Sequence, residues 1–133
     1  VFRQWQQRFS YLQPPTSNNT MTRYCLACDL KDQPELIRQY KEYHGAGKVW
    51  PEITKSIQDG GITDMQIFLT GNRLFMIMET DDQVFDFDQK AAMDAANPKV
   101  QEWESLMDGF QQRLPWAEED VKWVLMEKIF QLE

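Results

Sequence analysis

The chain has 133 residues, of which 42% are hydrophobic and 13% aromatic, enough for one domain around a single buried core. Its net charge of −7 and pI near 4.7 work by repulsion against a nucleic-acid backbone or an anionic membrane surface as partner. No apolar run approaches the roughly 20 residues of a membrane span, and the N-terminus lacks the apolar stretch of a signal peptide, so a cytoplasmic address is expected.

Residues 1–20 read as an extension outside the fold, either disordered or not native to the domain. Aromatics without clear caps run from Val1 to Tyr11, and a polar, proline-interrupted stretch follows from Gln13 to Thr20. The domain proper is expected over 21–133. From about Arg23 to Leu30 the alternation of Tyr24, Leu26, Cys28 and Leu30 predicts a strand. Cys25 and Cys28 form a C-x-x-C within it, but their odd spacing sends the thiols to opposite faces and no second ligand pair accompanies them. Both are read as small buried apolar residues in a reducing compartment.

Asp32 as a capping carboxylate and Pro34 in the first turn predict a helix that runs to about His44. Leu36, Ile37, Tyr40 and Tyr43/His44 form its apolar stripe, and Gly45-Ala46-Gly47 breaks it. Trp50-Pro51-Glu52 restarts a helix that turns Ile53 and Ile57 inward and stops at Asp59-Gly60-Gly61. A strand from Ile62 to Leu69, a tight turn at Thr70-Gly71-Asn72-Arg73 and a nearly continuous apolar strand from Leu74 to Glu79 make a hairpin. The acidic stretch Asp81 to Asp88 reads as a solvated loop, followed by a short helical piece from Lys90 to Ala95. Asn97-Pro98 opens another helix with Val100, Trp103, Met107 and Phe110 as one seam, ended by Leu114-Pro115-Trp116. A last alternating strand is expected from Lys122 to Phe130.

Strand, broken helix, strand, hairpin strand, helix, strand is βαββαβ, the ferredoxin-like α+β arrangement: an antiparallel sheet with helices on one face. Both faces of these strands carry large apolar side chains, so the face without helices needs a cover. A second copy of the same sheet supplies it most simply, which predicts a homodimer, a dimeric α+β barrel, with a pocket between sheet and helix edge.

Candidate chemistry centres on His44, the one histidine of the chain, four residues after Tyr40 and six before Trp50-Pro51-Glu52. A spacing of four on a helix sets Tyr40 and His44 side by side, where one ligand could touch both. A lone histidine at a helix end is more often a capping or surface residue than a catalyst. Tyr40 also fits the core, Trp103 packing, and Trp50 a staple at a helix start. Glu79 closes an apolar strand, where a buried carboxylate is costly unless paired or used.

Taken in order, Tyr40-x3-His44, Val49-Trp50-Pro51-Glu52, Gly71-Asn72-Arg73-Leu74-Phe75, Asn97-Pro98, Trp103 and the final Trp123-to-Phe130 segment resemble the L-rhamnose/L-fucose mutarotase family from about Met21 to the C-terminus. The resemblance implies a small dimeric α+β barrel that interconverts the α and β anomers of a 6-deoxy-L-hexose, a monosaccharide substrate, with no cofactor and no metal. It further implies that His44 is the proton donor and that Tyr40 contacts the sugar. Met65 stands where the bacterial rhamnose enzymes carry a sugar-contacting tyrosine, and Trp103-Glu104 where they carry a tryptophan pair. With a longer loop between His44 and Trp50, these departures lean towards the fucose-utilising branch.

Mutarotation moves only O–H protons, so a histidine with an ordinary pKa of about 6.5 can supply and recover the proton at neutral pH. Acid–base assistance of this kind is worth about 10²–10⁴-fold. Trp50 and Trp103 would offer flat faces to the sugar's C–H side, Met65 would line the site, and Glu79 or Glu104 would accept hydroxyl protons. Two readings rival this one: a cofactor-independent monooxygenase of the same barrel fold, and a non-catalytic dimeric sugar-binding module in which His44 is structural.

Overall fold

The computed structural model describes residues 20–133; the expectation for 1–19 lies outside the described residues. Strand β1 spans Met21–Leu30, helix α1 Pro34–Tyr43, α2 Pro51–Asp59, β2 Ile62–Thr70 and β3 Arg73–Asp81. Helix α3 (Phe87–Ala95), α4 (Pro98–Asp108) and the two-residue strands β4 (Gln111–Gln112) and β5 (Val124–Leu125) complete the order. All strand pairs are antiparallel, in the order β2-β3-β1-β4, and β5 joins the same edge of β1 as β4. This is the ferredoxin-like topology that the element order predicts, with each of its two helical segments broken into a pair of short helices.

The hairpin forms where glycine permits it, for Gly71 has φ +56°, a left-handed conformation that side-chain-bearing residues rarely adopt. Asn72 then locks the turn to the far end of β1. Its backbone carbonyl accepts from Leu30 N at 2.6 Å and its side-chain amide donates to Leu30 O at 2.9 Å. In β3 the parity is clean, with Leu74, Met76, Met78 and Thr80 buried while Phe75, Ile77 and Glu79 point the other way, half-buried. The buried set joins Leu26, Cys28 and Leu30 of β1 and meets Tyr40, Ile53, Val100, Trp103 and Met107 from the helices, so the core lies between the sheet and one helical layer.

Several boundaries differ from the sequence reading. The N-cap of α1 is Gln33 without a side-chain bond, so Asp32 does not cap it; Pro34 at the first position still sets the start. Helix α3 begins at Phe87, capped by Asp86, whose Oδ1 accepts from Gln89 N at 2.8 Å. The acidic connection before it is therefore not simply solvated. Phe85 is buried against Phe87 and Tyr24, and Asp82 accepts from the hydroxyls of Thr22 and Thr80. Of the expected strand from Lys122 to Phe130 only Val124–Leu125 pairs, extended by Met126 N donating to Cys25 O at 2.8 Å. Cys28 is buried, and burial pushes its thiol up to about 12, but Cys25 is only half-buried on the opposite face.

Candidate active site

The last turn of α1 builds the centre of the site. Tyr40 is buried in that turn and His44 caps it, so their rings stack with centroids 4.1 Å apart and planes inclined by 28°. The backbone N–H of His44 donates to Lys41 O at 3.2 Å, which leaves the Tyr40 carbonyl to another donor. The His44 ring takes it, with Nδ1 at 2.7 Å from Tyr40 O. A carbonyl oxygen only accepts, so Nδ1 carries the hydrogen, and in the neutral ring the lone pair sits on Nε2. Burial holds the pKa of His44 below its ordinary value, with the Tyr40 carbonyl acting in the opposite direction. At neutral pH the imidazole is uncharged and Nε2 is a proton acceptor.

Tyr40 has a different chemical character. It is 4% exposed, burial raises its pKa far above the tyrosine range, and its hydroxyl bonds the side chain of Gln111 in β4. That phenol stays protonated, which removes it as a base for the anomeric hydroxyl.

Aromatic rings wall the histidine. Trp103 of α4 stands edge-on to His44 at 5.5 Å, Tyr43 meets the same indole at 6.3 Å, and Trp50 packs against it at 5.1 Å with planes at 72°. A cavity of about 480 Å³ opens between the sheet and the helices, lined among others by Tyr40, His44, Met65, Trp103 and Glu104. Five of the seven residues singled out in the sequence thus share one wall system. Trp50 stands behind Trp103, where its outer face meets the Lys99 ammonium at 5.7 Å, and does not line the cavity. Glu79 is a correction: strand parity turns it to the opposite face of the sheet, where it accepts from Arg23 at 2.7 Å. It faces the second cleft, beside Cys25 and Phe75, not the cavity of His44.

Three polar residues that sequence reasoning missed belong to this region. Gln111 lines the cavity and holds the Tyr40 hydroxyl. Asp94 of α3 also lines it and pairs with Lys90 one turn earlier, Nζ to Oδ1 at 2.5 Å, with both side chains essentially fully buried. In the sequence Lys90-x3-Asp94 looks like an ordinary exposed i,i+4 pair.

Comparison with known proteins places this arrangement. The L-rhamnose mutarotase family model matches residues 23–132. An L-fucose mutarotase of Xanthomonas campestris is 42% identical over 85% of this chain and 90% of its own length. An L-rhamnose mutarotase of Phocaeicola vulgatus is 33% identical over 53% of this chain and 64% of its own. Among solved structures, an L-rhamnose mutarotase of Formosa agariphila shares the fold, with a TM-score of 0.60 at 23% identity, covering 84% of this chain and 99% of the other. The match spans every element from β1 to β5, including the turn that carries Tyr40 and His44. By that span and that identity, the chain belongs to the L-rhamnose mutarotase family, a family of isomerases.

Proposed function

We propose that this protein interconverts the α and β anomers of L-fucose, and less efficiently of L-rhamnose, by opening and reclosing the pyranose ring. The observation that carries the reading is the fixed tautomer of His44. With Nδ1–H held by the Tyr40 carbonyl, Nε2 is the nitrogen left for a ligand, and it is basic at neutral pH. Nε2 accepts the proton of the anomeric hydroxyl as the C1–O1 bond becomes a carbonyl and the C1–O5 bond breaks. The electron pair of that bond goes to O5, which takes up one proton from the imidazolium or from water. Rotation about C1–C2 presents the other carbonyl face, and the reverse transfers close the ring. No C–H bond is cut, so a weak base near its own pKa suffices. His44 is therefore a base first and a donor second, and Trp103 supplies the apolar wall for the sugar's C–H face.

L-fucose is preferred in this reading because the 42% identity is to an L-fucose mutarotase, and because Met65 and Glu104 stand where the rhamnose enzymes are expected to carry aromatic rings. The working unit is a homodimer. Cys25, Phe75 and Ile77 on the helix-free face of the sheet, and Ile129, Phe130 and Leu132 in the C-terminal tail, exposed by 88%, 74% and 78%, form apolar surface that a second copy would bury. Two free thiols agree with a reducing, cytoplasmic setting.

Saturation-transfer proton NMR of the anomeric signals of both sugars tests the activity, and light scattering at the exit of a sizing column tests the dimer. Faster exchange for L-fucose than for L-rhamnose, lost in a folded His44→Ala chain, is the expected result. A folded wild-type chain that accelerates neither sugar sinks the reading.

A further inference from the structure

The Lys90–Asp94 pair is the feature that acid–base chemistry at His44 leaves unused. An ion pair this deeply buried is costly to desolvate and is no device for stability, since an apolar pair of the same volume does as well or better. Its surroundings are nevertheless built around it. Gly60, at the end of α2, lies so close to the lysine stem that a Cβ there would sit 2.5 Å from Lys90 Cδ and 2.9 Å from Cε. The missing side chain gives Lys90 the channel through which its ammonium reaches Asp94 Oδ1. The second carboxylate oxygen, Oδ2, is buried and has no hydrogen-bond partner among the described residues, yet Asp94 borders the cavity that holds His44. A buried carboxylate oxygen without a partner, in a residue that borders a cavity, can take a donor from that cavity, and a neutral polyol is the ligand class that brings donors without charge. Glu104 adds a second buried carboxylate to the same cavity, so a sugar acid or a sugar phosphate would meet like charge there.

We infer that Asp94 is a specificity-determining residue that accepts a hydrogen bond through Oδ2 from a ring hydroxyl of a neutral, unphosphorylated pyranose, with Lys90 as the positioning residue that keeps the carboxylate turned to the cavity. The inference rests on the mutarotase reading and deepens it, because the hydroxyl contacted is remote from the anomeric centre. It binds ground state and transition state alike, so its loss shows in KM and not in kcat.

Asp94→Asn would turn an amide N–H₂ to the cavity while its oxygen stays on Lys90, replacing the acceptor by a donor. Loss of a hydrogen bond to a charged group is worth about 10- to 100-fold in KM. Anomer exchange measured against sugar concentration is expected to give that rise with kcat within about twofold. Among the 2-, 3- and 4-deoxy analogues of L-fucose, one is expected to lose the same factor with the wild-type chain and nothing further with Asp94→Asn. Because Asp94→Asn removes the charge that faces the buried Lys90 ammonium and could unfold the chain, the double variant Lys90→Met, Asp94→Leu removes the pair as a unit, an exchange that buried ion pairs tolerate; it too is expected to raise KM by that factor. An active wild-type chain whose folded variants keep the wild-type KM makes the pair purely structural and overturns the inference while leaving the mutarotase reading intact. A wild-type chain that exchanges neither sugar removes both.

Discussion

Removing the imidazole of His44 separates catalysis from architecture by a wide margin. His44→Ala deletes the ring stacked on Tyr40 and the bond from Nδ1 to the Tyr40 carbonyl. An aromatic pair is worth about 1 kcal/mol beyond its area, and a neutral hydrogen bond at a helix end about 1 kcal/mol. The sum of about 2 kcal/mol lies well inside the stability of an ordinary domain and lowers Tm by roughly 6–10 °C for a chain of this length. The chemical loss is larger, since withdrawing a positioned acid–base group lowers kcat by about 10²–10⁴-fold. His44→Asn refines the test, because its amide can donate to the same carbonyl yet offers no basic nitrogen. Saturation transfer between the anomeric protons of L-fucose reads the rate, and thermal unfolding by circular dichroism reads the fold. A His44→Ala chain that still unfolds cooperatively, with Tm lowered by no more than about 10 °C, but with exchange reduced about 10²-fold or more agrees with a catalytic role. One that is destabilised and exchanges as fast as wild type would refute it, leaving the ring as a helix cap.

The pH dependence follows from the depressed pKa of His44. The catalytic base is neutral, so the acid limb of kcat/KM is expected below the ordinary value of about 6.5, and it should disappear in His44→Ala. The linkage has the same sign for stability: the unfolded chain binds the proton more readily, so this contribution is complete above about pH 6.5 and declines as pH falls through the lower folded pKa. Unfolding titrations of wild type and His44→Ala at pH 7.5 and pH 5 measure that difference. Tyr40→Phe keeps the stack on His44 but strands Gln111, so it is expected to cost about 1–2 kcal/mol of stability with less than about tenfold loss of rate, the effect of a group outside acid–base transfer; a 10³-fold rate loss at unchanged stability would assign the phenol a direct proton transfer. Glu79→Gln alters an ion pair with Arg23 on the far face of the sheet, and exchange kinetics of the variant should match wild type.

Local periodicity was enough to find β1, α1, α2, the β2–β3 hairpin and α4 in the sequence, because each element repeats its own apolar face and carries its own punctuation. Pro34, Pro51 and Pro98 begin helices, and Gly71 makes the turn that only its backbone allows. The four-residue spacing of Tyr40 and His44 likewise sets the two side chains on one helical face without help from any tertiary contact, while their ring stacking is a property of the folded turn. Strand β4 left no such mark, for Gln111 and Gln112 are polar neighbours without a period, and only pairing with Asp29 and Leu30 makes them a strand and brings Gln111 to Tyr40. Glu79 was misplaced because a strand apolar on both sides conceals which parity faces the helices; the helical layer decides that. The Lys90–Asp94 pair is the plainest case. Charge and spacing are properties of one helix, but its burial depends on the missing side chain of Gly60 at the end of α2 and on the packing of α4 against α3, and a sequence pattern carries no term for what another element brings to the same place.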